Sequence, residues 1–137
     1  MCSSDLFTLD EARAALASIR EPLAALQAIQ SRLREVRDEL HALGRRHLND
    51  GVVAEQRVRH LRQEQQRGGE EARAHVVVIR ASGAELRSIE DGLLDFPAVI
   101  DGVEAYWCWR TGEDDIAWWH PRATGFADRR PIPGIEG

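Results

Sequence analysis

The chain has no lysine. All 18 of its cationic residues are arginine. GC-rich coding explains such a bias, and so does a demand for bidentate ion pairs, where arginine outperforms lysine. Cysteine is nearly absent. Cys2 and Cys108 make neither a disulfide framework nor a paired Cys-x-x-Cys zinc pattern, and a reducing compartment suits them best. Long hydrophobic runs are missing too. The longest purely aliphatic run, Val76 to Ile79, is far too short to span a bilayer. The opening Met-Cys-Ser-Ser-Asp-Leu-Phe has neither a basic nor an apolar signal region, so no lipid anchor on Cys2 is expected and the expected location is cytoplasmic. Positive charge is in deficit as well. A net charge of −5 argues against general binding to a nucleic-acid backbone, even with an Arg-rich middle. Aromatics are few, at 6%, but all four tryptophans and the one tyrosine fall between Tyr106 and Trp119. So much aromatic surface must face a core, a partner or a ligand.

The 137 residues fit one domain by length. The expected class is α+β, mainly α. It comprises a long antiparallel helical hairpin over residues 7–82, a small two- or three-stranded antiparallel sheet over 83–120, and an irregular tail over 121–137. Thr8-Leu-Asp-Glu11 is a capping box, with Phe7 placed as a hydrophobic staple. Apolar residues then recur at Leu9, Ala12, Leu16, Ile19, Leu23, Leu26, Ile29, Leu33, Val36, Leu40 and Leu43. This is a heptad seam with one residue missing after Leu26, and it predicts a helix from about Leu9 to about Arg46. Pro22 predicts a kink inside it; Ser18-Ile-Arg-Glu21 offers a break with restart as the lesser alternative. Asn49-Asp50-Gly51 supplies a turn. A second helix should start near Val52, with a poorer seam at Ala54, Val58, Leu61, Gln65, Gly68, Ala72 and Val76. Gly68-Gly69 is either a local break or a point of close helix approach. Residues 75–79 are open to two readings, a helix end or a short β-branched strand; the helix end, closing at Ala81-Ser82-Gly83, is the preferred one.

After Gly83 the period changes. Ala84 to Glu90 reads as a short strand, Asp91 to Pro97 as a loop and Asp101-Gly102 as a turn. Ala105–Arg110 and Ile116–His120 read as a hairpin around Thr111–Asp115. With a five-residue loop, Tyr106 faces His120, Cys108 faces Trp118 and Arg110 faces Ile116. Tyr106, Cys108, Arg110, Ile116, Trp118 and His120 then share one face, and Trp107, Trp109, Ala117 and Trp119 the other. A four-residue loop would reverse the relative phase. The acidic tip Glu113-Asp114-Asp115 reads as solvated, and the Arg129-Arg130 pair as exposed, tied to nearby acids, or gripping an anion.

On this register Cys108 and His120 lie diagonally on one face. They could share a metal only with further ligands, from the turn acids or from Asp91 and Asp95. The candidate set is Cys108, Glu113, His120 and Asp95, and thiolate with imidazole suits zinc or iron. The bland alternative is a buried free cysteine and a hydrogen-bonded histidine. A Cys/His nucleophile would need direct contact and a depressed thiol pKa.

The motifs Phe7-Thr-Leu-Asp-Glu-Ala12, Gly92-Leu-Leu-Asp-Phe-Pro97, Cys108-Trp-Arg-Thr-Gly-Glu113, Trp119-His120 and Gly125-Phe-Ala-Asp-Arg129 occur in this order. In this the chain resembles a small prokaryotic family, domain of unknown function 2203, over residues 7–48 and 83–131. It departs from the family pattern at Trp118, Asp128 and Arg130. The resemblance implies helix at residues 75–81 and strand after Gly83. It also draws attention to Asp95, Cys108, Arg110, Glu113, His120 and Arg129, and it implies no activity. The leading expectation is a non-enzymatic homodimeric helical protein, because a hairpin with so thin a sheet leaves its seam uncovered. A further protein partner at the aromatic hairpin is part of that reading. The alternative is a divalent-metal site, zinc or iron, with hydrolytic chemistry in view.

Overall fold

The computed structural model describes residues 6–45 and 51–132. Cys2, and Asn49 and Asp50 of the expected turn, lie outside them. Two helices come first, α1 (Leu9–Arg45) and α2 (Gly51–Ala81). The capping box forms as read: Thr8 N donates to Glu11 Oε1 at 2.9 Å and Glu11 N to Thr8 Oγ1 at 3.1 Å. Asp10 and Glu11 in the first turn and Arg45 in the last complement the helix dipole. α1 is continuous through Pro22, so no break with restart occurs. α2 likewise runs through Gly68-Gly69. Of the two readings of that pair, close approach is correct. A Cβ on Gly68 would lie 2.7 Å from Leu33 Cδ2, so the missing side chain lets the helices meet. α2 ends at a left-handed Gly83 (φ 95°), whose N–H bonds the Arg80 carbonyl at 3.0 Å.

The sheet is larger than expected. Five strands, not two or three, follow one another as an antiparallel meander: β1 (Glu85–Ser88), β2 (Leu93–Ile100), β3 (Val103–Arg110), β4 (Trp118–Pro121) and β5 (Arg130–Pro131). The expected loop at 91–97 is largely strand. Only Asp91-Gly92 turns, and Leu93 to Pro97 belong to β2. Pro97 is tolerated because β1 pairs no further than Asp95, so the absent amide faces no partner strand. Pro97 instead accepts the Phe7 amide at 2.8 Å. Asp101 (φ 53°) and Gly102 (φ 77°) form the tight β2–β3 turn, both left-handed as a primed hairpin turn requires. The tail is not wholly irregular. A 3-10 turn at Phe126–Asp128 leads into β5, which pairs with Trp118 and Trp119.

One face of the sheet packs on the helices. Ala12, Leu16, Ile19, Leu23 and Leu26 of α1 and Ile79 of α2 form one cluster with Leu94, Phe96, Trp109, Ile116 and Ile132. Trp107 and Trp119 pack against it from the same face. Phe7 packs on the cluster that includes Ala12 and also reaches the sheet. It meets the Phe96 ring edge-on at 5.4 Å, and its carbonyl takes the Trp107 indole N–H at 2.8 Å. The sheet therefore covers the first half of the α1 seam within the chain. Beyond it, Ile29, Leu33, Leu40 and Leu43 stay half-buried. Bidentate pairs Arg32–Glu64 and Arg57–Glu39 tie the helices together along that far half. No helix among the described residues is long and apolar enough to cross a membrane.

Candidate metal centre on the outer face of the sheet

Strand alternation decides which residues meet. Leu94 and Phe96 point to the helices, so Asp95 between them points away. Trp107 and Trp109 point inward, so Tyr106 and Cys108 point outward. Trp119 points inward, so His120 and Trp118 point outward. The register pairs Asp95 with Cys108, Cys108 with Trp118 and Tyr106 with His120, as the five-residue-loop reading expected for the last two. One element of that reading fails. Ile116 lies in the core beside Trp109, not on the Cys108 face, because β4 starts at Trp118 and the alternation does not reach back into the loop.

The outcome is a compact cluster. One ligand atom each of Asp95, Cys108 and His120 lies within 4.8 Å of the other two. None of the three residues is more than 3% exposed. His120 Nε2 is 3.1 Å from Asp95 Oδ1, and Nδ1 is 3.0 Å from the Pro121 carbonyl. Both ring nitrogens thus face acceptors, whereas a neutral imidazole carries a single N–H. Asp95 Oδ2 accepts from Arg87 Nε at 3.0 Å, and the Arg87 guanidinium also lies over the Tyr106 ring. Burial, and then the negative Asp95, push the Cys108 thiol up to about 12, while Arg129 pulls the other way. A thiol so raised is no nucleophile at neutral pH.

Glu113 is placed elsewhere. Its carboxylate is gripped by Arg129, with Nη1–Oε2 and Nη2–Oε1 both 2.8 Å, and it accepts the Arg110 amide. Asp91 and the turn acids are also outside the cluster. Asp91 caps the Ser88 turn, and Asp115 bonds the Ile116 amide and sits 3.5 Å from Arg13. The acidic tip is not simply solvated. Arg13 donates to the Ile116 carbonyl, and Arg20 donates to the carbonyls of Glu113 and Asp114. The Arg129-Arg130 pair is tied to acids, Arg130 to Asp128 at 2.9 Å. Two residues of this face carried no signal strong enough to place them: Arg87, an ordinary strand cation, and Arg129 as the partner of Glu113.

Fold and site define a class: a helical hairpin laid on a five-stranded meander, with a buried carboxylate–thiol–imidazole cluster on the far side of the sheet. A model of the uncharacterized conserved protein family DUF2203 matches residues 5–132, and the chain belongs to that family. No curated protein and no solved structure shows significant similarity to it.

Proposed function

We propose that the chain is a metal-binding protein whose ion, zinc or iron(II), is held by Asp95, Cys108 and His120. The observation that carries this reading is the 4.8 Å convergence of three different ligand atoms in a buried place. A sulfur, an imidazole nitrogen and one carboxylate oxygen suit borderline ions of this kind. The surroundings match what such ligands need. With an ion on Nε2, Nδ1–H would donate to Pro121 O, 3.0 Å away, and fix the ring, and Arg87 orients Asp95 through its other oxygen. A metal would displace the thiol proton despite the raised pKa, since a coordinating thiol is deprotonated outright. The same burial favours a structural ion over a hydrolytic one, because a substrate has no approach to residues so enclosed. Elemental analysis of the purified protein tests this. About one equivalent of metal is expected, lost in both Cys108→Ala and His120→Ala. No stoichiometric metal, or metal unaffected by both substitutions, rejects it.

Homodimerisation is the second reading. It is favoured by the half-buried distal seam, Ile29, Leu33, Leu40 and Leu43. A second hairpin packed along that half would bury this apolar surface. Light scattering across micromolar concentrations should give twice the chain mass; a stable monomer rejects the reading.

A further inference from the structure

A separate cleft lies where the two helices meet the first strand. Its volume is about 650 Å³, within the range of small-molecule sites. Gln30, Arg34 and Arg37 enter it from α1, at i, i+4 and i+7 on one helix face. Val76 and Arg80 enter from α2, and Leu86, Arg87 and Ile89 from β1 and the turn after it. The floor is apolar: Leu33, Val76, Leu86 and Ile89 are each only half-buried, so each still shows hydrocarbon to the cleft. The walls are cationic. Four arginines and one carboxylate, Glu90, line the cleft in a chain whose net charge is −5.

Three of these arginines are not consumed by the fold; the fourth is. Arg87 is taken by Glu85 and Asp95. The guanidinium groups of Arg34 and Arg80 make no hydrogen bond or ion pair among the described residues. Arg37 has only its exposed neighbour Asp38, at 3.7 Å, a contact worth little. Elsewhere on the same helices Arg32 and Arg57 are each held bidentately by a glutamate. Two exposed guanidinium groups with no protein partner and a third with only Asp38, set around an apolar floor, match a small molecule with a phosphate at one end and an apolar or planar body at the other. Guanidinium binds phosphate through two parallel bonds, and the body would cover the exposed hydrocarbon. We propose that this cleft binds a small organic phosphate. The proposal does not depend on the metal reading: Arg87 borders both places, but the binding groups are Arg34, Arg37 and Arg80, none of which touches the cluster.

Calorimetric titration of the full chain at low salt, with 1-naphthyl phosphate as probe, tests it. One saturable site is expected. Arg34→Ala and Arg80→Ala should each weaken binding about tenfold, equivalent to about 1.4 kcal/mol, and the double variant should abolish it. Both positions are exposed, so these variants keep the fold. Arg67→Ala, on α2 but outside this cleft, should leave the affinity unchanged. Inorganic phosphate alone and 1-naphthol alone should each bind at least about tenfold more weakly than the joined molecule. The proposal is overturned by absence of saturable binding, by binding that survives the double variant, or by equal weakening in Arg67→Ala.

Discussion

Arg129 holds Glu113 by both ends of its guanidinium, with two N–O distances of 2.8 Å. The pair fastens the tail to the β3–β4 connection. Arg129 also covers the rings of Trp118 and Phe126, at 5.0 and 4.5 Å from their centres. Its side chain is only 13% exposed and that of Glu113 24%, so solvent screens the pair weakly. Arg129→Ala should therefore cost about 1.5–3 kcal/mol in urea unfolding, the range for a hydrogen bond to a charged group. Limited proteolysis should cut the variant first between residues 122 and 132. Unchanged stability together with an unchanged cleavage pattern would refute the fastening role.

Asp95 is the hub of the outer face. It accepts from Arg87 Nε and meets His120 Nε2, and its charge raises the Cys108 thiol. Asp95→Ala removes the acceptor, which leaves His120 Nε2 without its partner in a buried place and Arg87 with Glu85 alone. A loss of about 3 kcal/mol is expected, the low end for breaking a buried pair because Arg87 is partly exposed. Unfolding with and without a chelator separates two contributions. If an ion is present, chelation destabilises the native protein and leaves Asp95→Ala unmoved. Equal destabilisation of both by the chelator would contradict an ion held at Asp95.

The inter-helix ion pairs set an acid limit. Hydrogen bonds from Arg57 hold the Glu39 carboxyl below its usual value of 4.5, and those from Arg32 do the same for Glu64. A carboxyl whose folded pKa is depressed binds its proton more weakly in the native state than in the unfolded one. Its stabilisation is therefore complete above pH 4.5 and is lost as pH falls through the lower folded value. Urea midpoints should drop as pH falls from about 5 towards 3. Glu39→Gln with Glu64→Gln should start lower at neutral pH and follow a shallower slope. Parallel slopes for variant and parent would show that these pairs do not carry the acid sensitivity.

How much of this was readable follows from periodicity. α1 and α2 were legible because a seam and a capping box agree over many turns. Gly68 was ambiguous because glycine signals a break or a close approach equally well, and only Leu33 on the other helix decides it. Residues 93–97 read as loop because Pro97 vetoes a strand locally. The veto fails where the partner strand has already ended, which is a tertiary fact. β5 is two residues with a proline and has no pattern to detect. Cys108 and His120 were placed together by simple alternation. Asp95 joined them only through the β2–β3 register, while Glu113 left because Arg129 returns from the tail. Ile116 went to the wrong face because the alternation was extended beyond the strand that justified it.

Gly92 is where sequence and fold are most tightly matched. It sits at φ 65° in the turn before β2. A Cβ there would lie 1.7 Å from Thr111 Oγ1 and 2.7 Å from both Thr111 Cβ and Gln27 Nε2. The Thr111 amide donates to the Gly92 carbonyl at 3.0 Å, and Gln27 donates to the Ile89 carbonyl at 3.0 Å. One position thus joins α1, the β1–β2 turn and the end of β3. Gly92→Ala adds left-handed strain, about 1–2 kcal/mol, to an overpacking cost of about 1–3 kcal/mol. A loss of roughly 2–5 kcal/mol in thermal or urea unfolding is expected. Thr111→Ala in the same chain should recover only part of it, because removing the hydroxyl leaves the Cβ contact and the backbone strain in place. Full recovery would mean that the hydroxyl clash alone was responsible; no loss in Gly92→Ala would mean that this turn is not as tightly held as its contacts require.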